Sequence, residues 1–300
     1  MGIAIFNPFS DISGKIMVVS PGRPPCEKKL SRTLRIFEEF ELQYEISENV
    51  FAHGDNPKLP APPELRAAEF NKALRRKDVS VILCARGGFG CHDILPLLDW
   101  DCMRRSKKII LGFSDITAIH MGMLKKNAGI PVAGPMISDL PASLGKNYPG
   151  LSLRKAISGD SKSLDISKCN KLKLIKRGSA GGFIVAGNLS VFCSMFGTEF
   201  MPSLRGAILL IEDINEPIHR IYRCLSHMKL SGILSEISGL LIGDFTNCGN
   251  RKDLNDVFYN FVSDISGPVL SGVKFGHIEK ILSFRLGSRA SILDGKLVLE

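Results

Sequence analysis

The chain has 300 residues, with 39 Lys and Arg against 30 Asp and Glu for a formal net charge of +9. That length suits one large or two medium domains, and 44% hydrophobic with 23% charged residues is an ordinary globular composition. The cations come in short pairs (Lys28-Lys29, Arg75-Arg76, Lys125-Lys126) without interleaved aromatics, and no apolar run approaches a membrane span, which argues against nucleic-acid and membrane partners.

Ile16 to Ser20 reads as a buried strand, followed by the turn Pro21-Gly22-Arg23-Pro24-Pro25 and a helical pattern from Glu27 to Phe40. The proline-rich stretch from Gly54 to Pro63 reads as a loop leading into a helix from about Glu64 to Arg76. Val79 to Cys84 is a second strand, ending at Ala85-Arg86-Gly87-Gly88-Phe89-Gly90, and Asp93 to Leu98 reads as helical. A further apolar run, Ile109-Ile110-Leu111, stops at Gly112-Phe113-Ser114-Asp115, where an amphipathic helical pattern begins. This alternation predicts an α/β fold: an N-terminal open, mostly parallel α/β sandwich domain over residues 1–150. Sites in such sheets lie outside the carboxyl ends of the strands, where both the glycine loop and the Ser114 corner fall. Residues 151–177, polar and lysine-rich, read as a linker or crossover. Beyond them come glycine-rich turns at 178–183 and 186–190, a strand Gly206 to Ile211 and a helix from about His219 to Leu230. With strand patterns at Leu240 to Gly243, Val269 and Ala290 to Leu299, these predict a smaller mixed α+β C-terminal domain over residues 178–300.

Ser114 stands at a strand-to-helix corner, where unpaired N–H groups and the positive helix end favour a developing negative charge. It reads either as a nucleophile or, with Asp115, as an N-cap; Ile116 stands where a full Gly-x-Ser-x-Gly elbow would have its last glycine. A nucleophilic serine needs a base and a group that orients the base. Of six histidines, His277, in the loop Lys274-Phe275-Gly276-His277, is the best-placed candidate. Glu212-Asp213, closing the apolar strand, reads either as facing a site or as capping the next loop. Gly87-Gly88 suits an oxyanion hole, whereas its spacing fits neither a dinucleotide fingerprint nor a P-loop. No His-Glu-x-x-His and no clustered Cys/His suggests a metal. The eight cysteines (Cys26, Cys84, Cys91, Cys102, Cys169, Cys193, Cys224, Cys248) form no Cys-x-x-Cys pair and read as reduced thiols of a cytoplasmic protein. The start of the chain carries no charged region followed by a long apolar stretch, and Phe6 occupies the Ser/Thr position of a myristoylation signal after Met1-Gly2.

Seven pieces, in order, resemble the LD-carboxypeptidase family of serine peptidases, which includes the microcin C self-immunity proteins. They are Val18-Val19-Ser20-Pro21-Gly22, Leu65-Arg66-Ala67-Ala68-Glu69-Phe70, Cys84 to Gly90, Gly112 to Thr117, Gly187-Asn188-Leu189-Ser190, Ile211 to Pro217 and Phe275-Gly276-His277. The resemblance implies a catalytic triad of Ser114, Glu212 and His277, with backbone N–H groups of Gly88 and Asp115 as the oxyanion hole. Arg86 and Gly87 are candidate substrate contacts; Arg86 either holds the substrate's terminal carboxylate or packs beneath the glycine loop. The implied reaction is hydrolysis of the L,D-amide that releases a terminal D-amino acid, as in trimming of murein tetrapeptide during cell-wall recycling, without metal or organic cofactor and in a homodimer. Alternatives are an immunity-type amidase acting on a peptidyl- or aminoacyl-nucleotide antibiotic, and a non-catalytic peptide-binding protein. Phe89 and Phe113 stand where tyrosine is common in the family, Ala186 where glycine is frequent, and His219 and Tyr222 where an aromatic and an acid are common.

Overall fold

A computed structural model describes residues 6–145, 147–169 and 171–300, with only the backbone of Ser143 and Cys169. Met1-Gly2 and the Cys169 thiol therefore lie outside the described structure. The chain forms two compact units; the first runs to Gly159 and takes in Glu199–Pro202 and Lys280–Arg285, and the second holds the remainder.

In the first unit β1 (Lys15–Val19), α1 (Glu27–Glu39), β2 (Tyr44–Ile46), α2 (Pro63–Arg75) and β3 (Val79–Cys84) follow in order. Next come α3 (Cys91–Ile94), α4 (Trp100–Ser106), β4 (Ile109–Gly112), α5 (Thr117–Lys126), β5 (Ile130–Ala133) and α6 (Tyr148–Ser158). The sheet order is β5-β4-β3-β1-β2, all parallel, with a late strand, Phe284–Arg285, antiparallel beside β5. β3 and β4 are near-continuous apolar runs because both faces of a parallel sheet are covered. In α1 the buried Leu30, Thr33 and Phe37 recur at three- and four-residue spacing, so one face packs with Val18, Val81, Leu83 and Val132 in the core. The stretch Asp93 to Leu98 divides into α3 and a 3₁₀ turn Leu95–Leu97, in keeping with Pro96, which has no N–H to continue an α-helix. Segment 151–177 is more ordered than a plain linker: α6 starts at Asn147, whose side chain accepts from Gly150 N–H at 2.9 Å, and buries Leu153, Ala156 and Ile157 in the same core.

The second unit carries β6 (Leu164–Asp165), β7 (Lys173–Lys176), β8 (Ala180–Asn188), α7 (Leu189–Met195), β9 (Ala207–Ile214), α8 (Ile218–Leu230) and α9 (Ile233–Glu236). β10 (Gly239–Thr246), α10 (Arg251–Phe261) and β11 (Val269–Ser271) follow. After the late strand β12 (Phe284–Arg285) of the first sheet, the chain ends in β13 (Arg289–Leu293) and β14 (Lys296–Leu299). The eight strands run β6-β14-β13-β8-β9-β10-β11-β7, with β8 to β11 parallel and the flanking pairs antiparallel. Three expectations are corrected here. The glycine-rich segments read as turns lie largely inside β8, where a Cβ on Gly182 would fall 2.3 Å from the Gly206 carbonyl oxygen; glycine marks a close strand approach. Ala290 to Leu299 is a hairpin, turning at Asp294 (φ 50°) and Gly295 (φ 74°), the positive-φ pair that two-residue hairpins favour. β9 continues to Ile214, so Glu212 and Asp213 sit within the strand instead of closing it. Among the described residues no helix is long and apolar enough to cross a membrane.

Candidate active site

At the carboxyl end of β4, Phe113 is extended and buried, and Ser114 turns into the left-handed region at φ 63°. A non-glycine residue held there stores on the order of 1–3 kcal/mol of strain, which persists where surrounding structure imposes it and is frequent at reactive residues. A 3₁₀ turn, Ser114–Ile116, leads directly into α5, so the Ser114 side chain sits at a helix N-terminus. The next strand end supplies the glycine loop. A Cβ on Gly87 would fall 3.0 Å from the Asp115 nitrogen and 3.2 Å from Ser114 Oγ, so only glycine lets this backbone lie against the serine corner. Gly88 follows at φ 89°. The Asp115 carboxylate, read from sequence as a possible cap of its own helix, instead reaches to α3 and accepts the Cys91 N–H at 2.9 Å, buried. It thereby ties the end of the glycine loop to the serine corner. The turn after β1 closes the arrangement: Arg23 N–H donates to the Gly87 carbonyl at 3.0 Å, and a Cβ on Gly22 would fall 2.5 Å from that same oxygen.

In the second unit, β9 carries Glu212 wholly buried, opposite Asn188 in the β8 register. His277 Nδ1 donates to Glu212 Oε2 at 2.8 Å, and Asn188 Nδ2 donates to Oε1 at 3.2 Å. Burial pushes the Glu212 carboxyl above its usual range, opposed by the hydrogen bond from His277. Of the two residues in Glu212-Asp213, Asp213 reaches back in the chain instead of on to the next loop, accepting Ser190 N–H at 2.9 Å at the start of α7, while Glu212 is the one that meets His277. The loop that bears His277 is fixed by β10: Asp244 N–H donates to Phe275 O at 2.8 Å and Thr246 Oγ1 to His277 O at 3.2 Å. Gly276 (φ 130°) lets it pass Glu212, since a Cβ there would lie 3.0 Å from Oε2.

Thus Gly87, Gly88, Ser114 and Asp115 are gathered in the first unit, and Glu212 and His277 in the second. Arg86 is exposed and donates to Pro24 O at 3.3 Å, so it lies on the turn after β1 instead of packing beneath the glycine loop. Phe89 is exposed, with the Arg23 guanidinium 5.7 Å from its ring centroid, whereas Phe113 is buried. His219 and Tyr222 are exposed on α8, and Ala186 is buried in β8. Sequence reading assigned no role to Asn188 or Thr246; an Asn-x-Ser at a strand-to-helix junction was the available signal for the first. Among the described residues no three His, Cys, Asp or Glu side chains gather as a metal-ligand set.

Known proteins resemble this chain in sequence and fold. The model of the LD-carboxypeptidase N-terminal domain matches residues 16–134, and that of the LD-carboxypeptidase C-terminal domain residues 181–292. A probable murein peptide carboxypeptidase of Bacillus subtilis is 31% identical over 281 residues, covering 92% of this chain and 87% of that protein. The microcin C7 self-immunity protein MccF of Escherichia coli is 27% identical over 257 residues, 76% of this chain and 75% of that one. The crystal structure of muramoyltetrapeptide carboxypeptidase from Oxalobacter formigenes superposes with a TM-score of 0.80 at 26% identity, over 95% of this chain and 97% of that chain. With both family domains matched in order across most of its length, the chain belongs to the LD-carboxypeptidase family of serine peptidases.

Proposed function

We propose that this enzyme hydrolyses the L,D-amide bond of murein tetrapeptide, releasing the terminal D-alanine, with Ser114 as nucleophile and His277 as base. The observation that carries the reading is the hydrogen bond of His277 Nδ1 to a wholly buried Glu212, an orientation that leaves Nε2 with a lone pair to take a proton. His277 removes the Ser114 hydroxyl proton as Oγ attacks the carbonyl carbon; the carbonyl oxygen becomes an oxyanion received by the N–H groups of Gly88 and Asp115. Collapse breaks the C–N bond, and the proton passes from His277 to the departing amine of D-alanine. Water, deprotonated by His277, then cleaves the acyl ester and restores Ser114. Arg86, a cation beside the glycine loop, is the group we assign to the substrate's terminal carboxylate.

Incubation with a meso-diaminopimelate tetrapeptide and its L-alanine epimer, read by mass spectrometry, tests the proposal. Loss of D-alanine from the first alone is expected; equal cleavage of both, or of neither, contradicts it. The immunity-type amidase reading has its support in MccF, whose sequence aligns with 76% of this chain against 92% for the Bacillus relative. Cleavage of an aminoacyl-nucleotide amide in preference to the tetrapeptide would favour it. A cytoplasmic homodimer completes the proposal. The seven cysteines with described side chains are free thiols, as a reducing compartment requires. Light scattering on the purified protein reads the assembly.

A further inference from the structure

Arg66 on α2 is not among the residues given a catalytic role, yet its side chain is 3% exposed and joins three segments, of which the turn after β1 and the glycine loop lie against each other beside the serine corner. Nε donates to Ala61 O at 2.7 Å, at the end of the proline-rich loop before α2. Nη1 donates to Pro21 O, in the turn after β1, and to Gly90 O at 2.8 Å, at the end of the glycine loop after β3. Among the described residues its ion-pair partner is Asp93, which stands 3.5 Å from Nη2 and is 58% exposed, so carbonyl dipoles do most of the holding. A buried guanidinium is costly unless its donors are met, and its planar fork sets the directions of the groups that meet them. Gly90 is at φ 109°, and a Cβ there would fall 3.1 Å from Nη1, so the loop backbone lies directly against the side chain.

We propose that Arg66 is a positioning residue: by clamping Gly90 O to Pro21 O and Ala61 O, it fixes the direction of the glycine-loop N–H groups that meet the oxyanion. This rests on the reading of Gly88 as an oxyanion donor. Its signature is a loss in the chemical step without a loss in substrate affinity, because a small misplacement of the donors weakens contacts to the transition state. A purely structural role would instead lower the folded fraction and leave each folded molecule fully active.

The test compares wild type, Arg66→Lys and Asp93→Asn, with kcat expressed per site titrated by a fluorophosphonate and with amide exchange of residues 87–91 followed by mass spectrometry. For Arg66→Lys, kcat per titrated site should fall roughly tenfold to hundredfold with KM within about threefold. Exchange of 87–91 should speed at a pH and temperature where the protein remains folded. Asp93→Asn should match wild type in both. Unchanged kcat per site in Arg66→Lys overturns the proposal whatever the exchange does, as do unchanged exchange of 87–91 and an equal loss in Asp93→Asn, which would make the ion pair the cause. If wild type neither labels nor turns over, the functional reading fails, and exchange alone still decides whether the clamp exists. Should Arg66→Lys not fold, native-state exchange of wild type decides: segments 21–23 and 87–91 opening together support the clamp, and separate openings refute it.

Discussion

Replacing Glu212 with glutamine probes the second unit's half of the chemistry with minimal change of shape. Glutamine can still accept from Asn188 Nδ2 through Oε1, now at 3.2 Å, but its amide nitrogen takes the place of Oε2, 2.8 Å from His277 Nδ1. That nitrogen donates, so the ring must turn its Nδ1 lone pair toward it and carry its proton on Nε2, where it cannot accept one from Ser114. Loss of the correct tautomer in a triad of this kind costs about 10³–10⁴ in kcat, equivalent to about 4–5.5 kcal/mol. Stability should respond differently. Burial raises the native carboxyl above its ordinary value of 4.5, so folding takes up a proton between that value and the raised one. Wild type therefore loses stability as pH rises through this window, and above it the penalty is fully present. The glutamine variant lacks the titration, so its stability relative to wild type should improve as pH rises. Steady-state turnover and urea denaturation at several pH values read both effects. A kcat within about tenfold of wild type would refute the tautomer argument.

Three further outcomes follow from single contacts. Gly87→Ala places a Cβ 3.0 Å from Asp115 N and 3.1 Å from Ser114 Cβ, and should cut kcat by about 10²-fold while leaving the melting temperature near wild type; retained kcat would contradict the packing. Gly182→Ala, with a Cβ 2.3 Å from Gly206 O, should destabilise by about 1–3 kcal/mol in chemical denaturation, and an unchanged midpoint would contradict the close strand approach. His120 is buried and bonds Ile110 O at 3.1 Å, and burial pushes its pKa down to about 4. Its neutral form thus contributes about 3 kcal/mol that is present above the ordinary histidine value and lost as pH falls from 6.5 toward 4. His120→Gln should flatten the fall in stability across that interval; an unchanged slope would refute the assignment.

In the first unit β1, β3 and β4 were legible as apolar runs ended by glycine or proline turns, as Val79 to Cys84 shows, whereas the short β2 (Tyr44-Glu45-Ile46), β5 and β12 carry no such run and were not read. The second unit was less legible. Glycines in β8 look like turn residues until the neighbouring strand end is known, because the need for a missing side chain at Gly182 arises from Gly206. Asp294-Gly295 is a local hairpin signal that a long apolar pattern overrode. In the candidate site, residue types left Ser114, Glu212 and His277 each with an alternative reading, and the family resemblance was what joined them as a triad. Their supports were hidden because they bridge distant segments. Asp115 to Cys91, Arg66 to Pro21 and Gly90, and Asn188 to Glu212 each depend on the sheet to bring them together. The division of labour between Glu212 and Asp213 is of the same kind: neighbours in a strand point to opposite faces, and only the structure shows which face meets His277.

The central claim, that Ser114 is the nucleophile, is tested most directly by reaction with a fluorophosphonate followed by peptide mapping. The account predicts one adduct per chain, on the peptide bearing Ser114, absent in Ser114→Ala and strongly slowed in His277→Ala. An adduct on another serine, or labelling of Ser114→Ala at the wild-type rate, would contradict it.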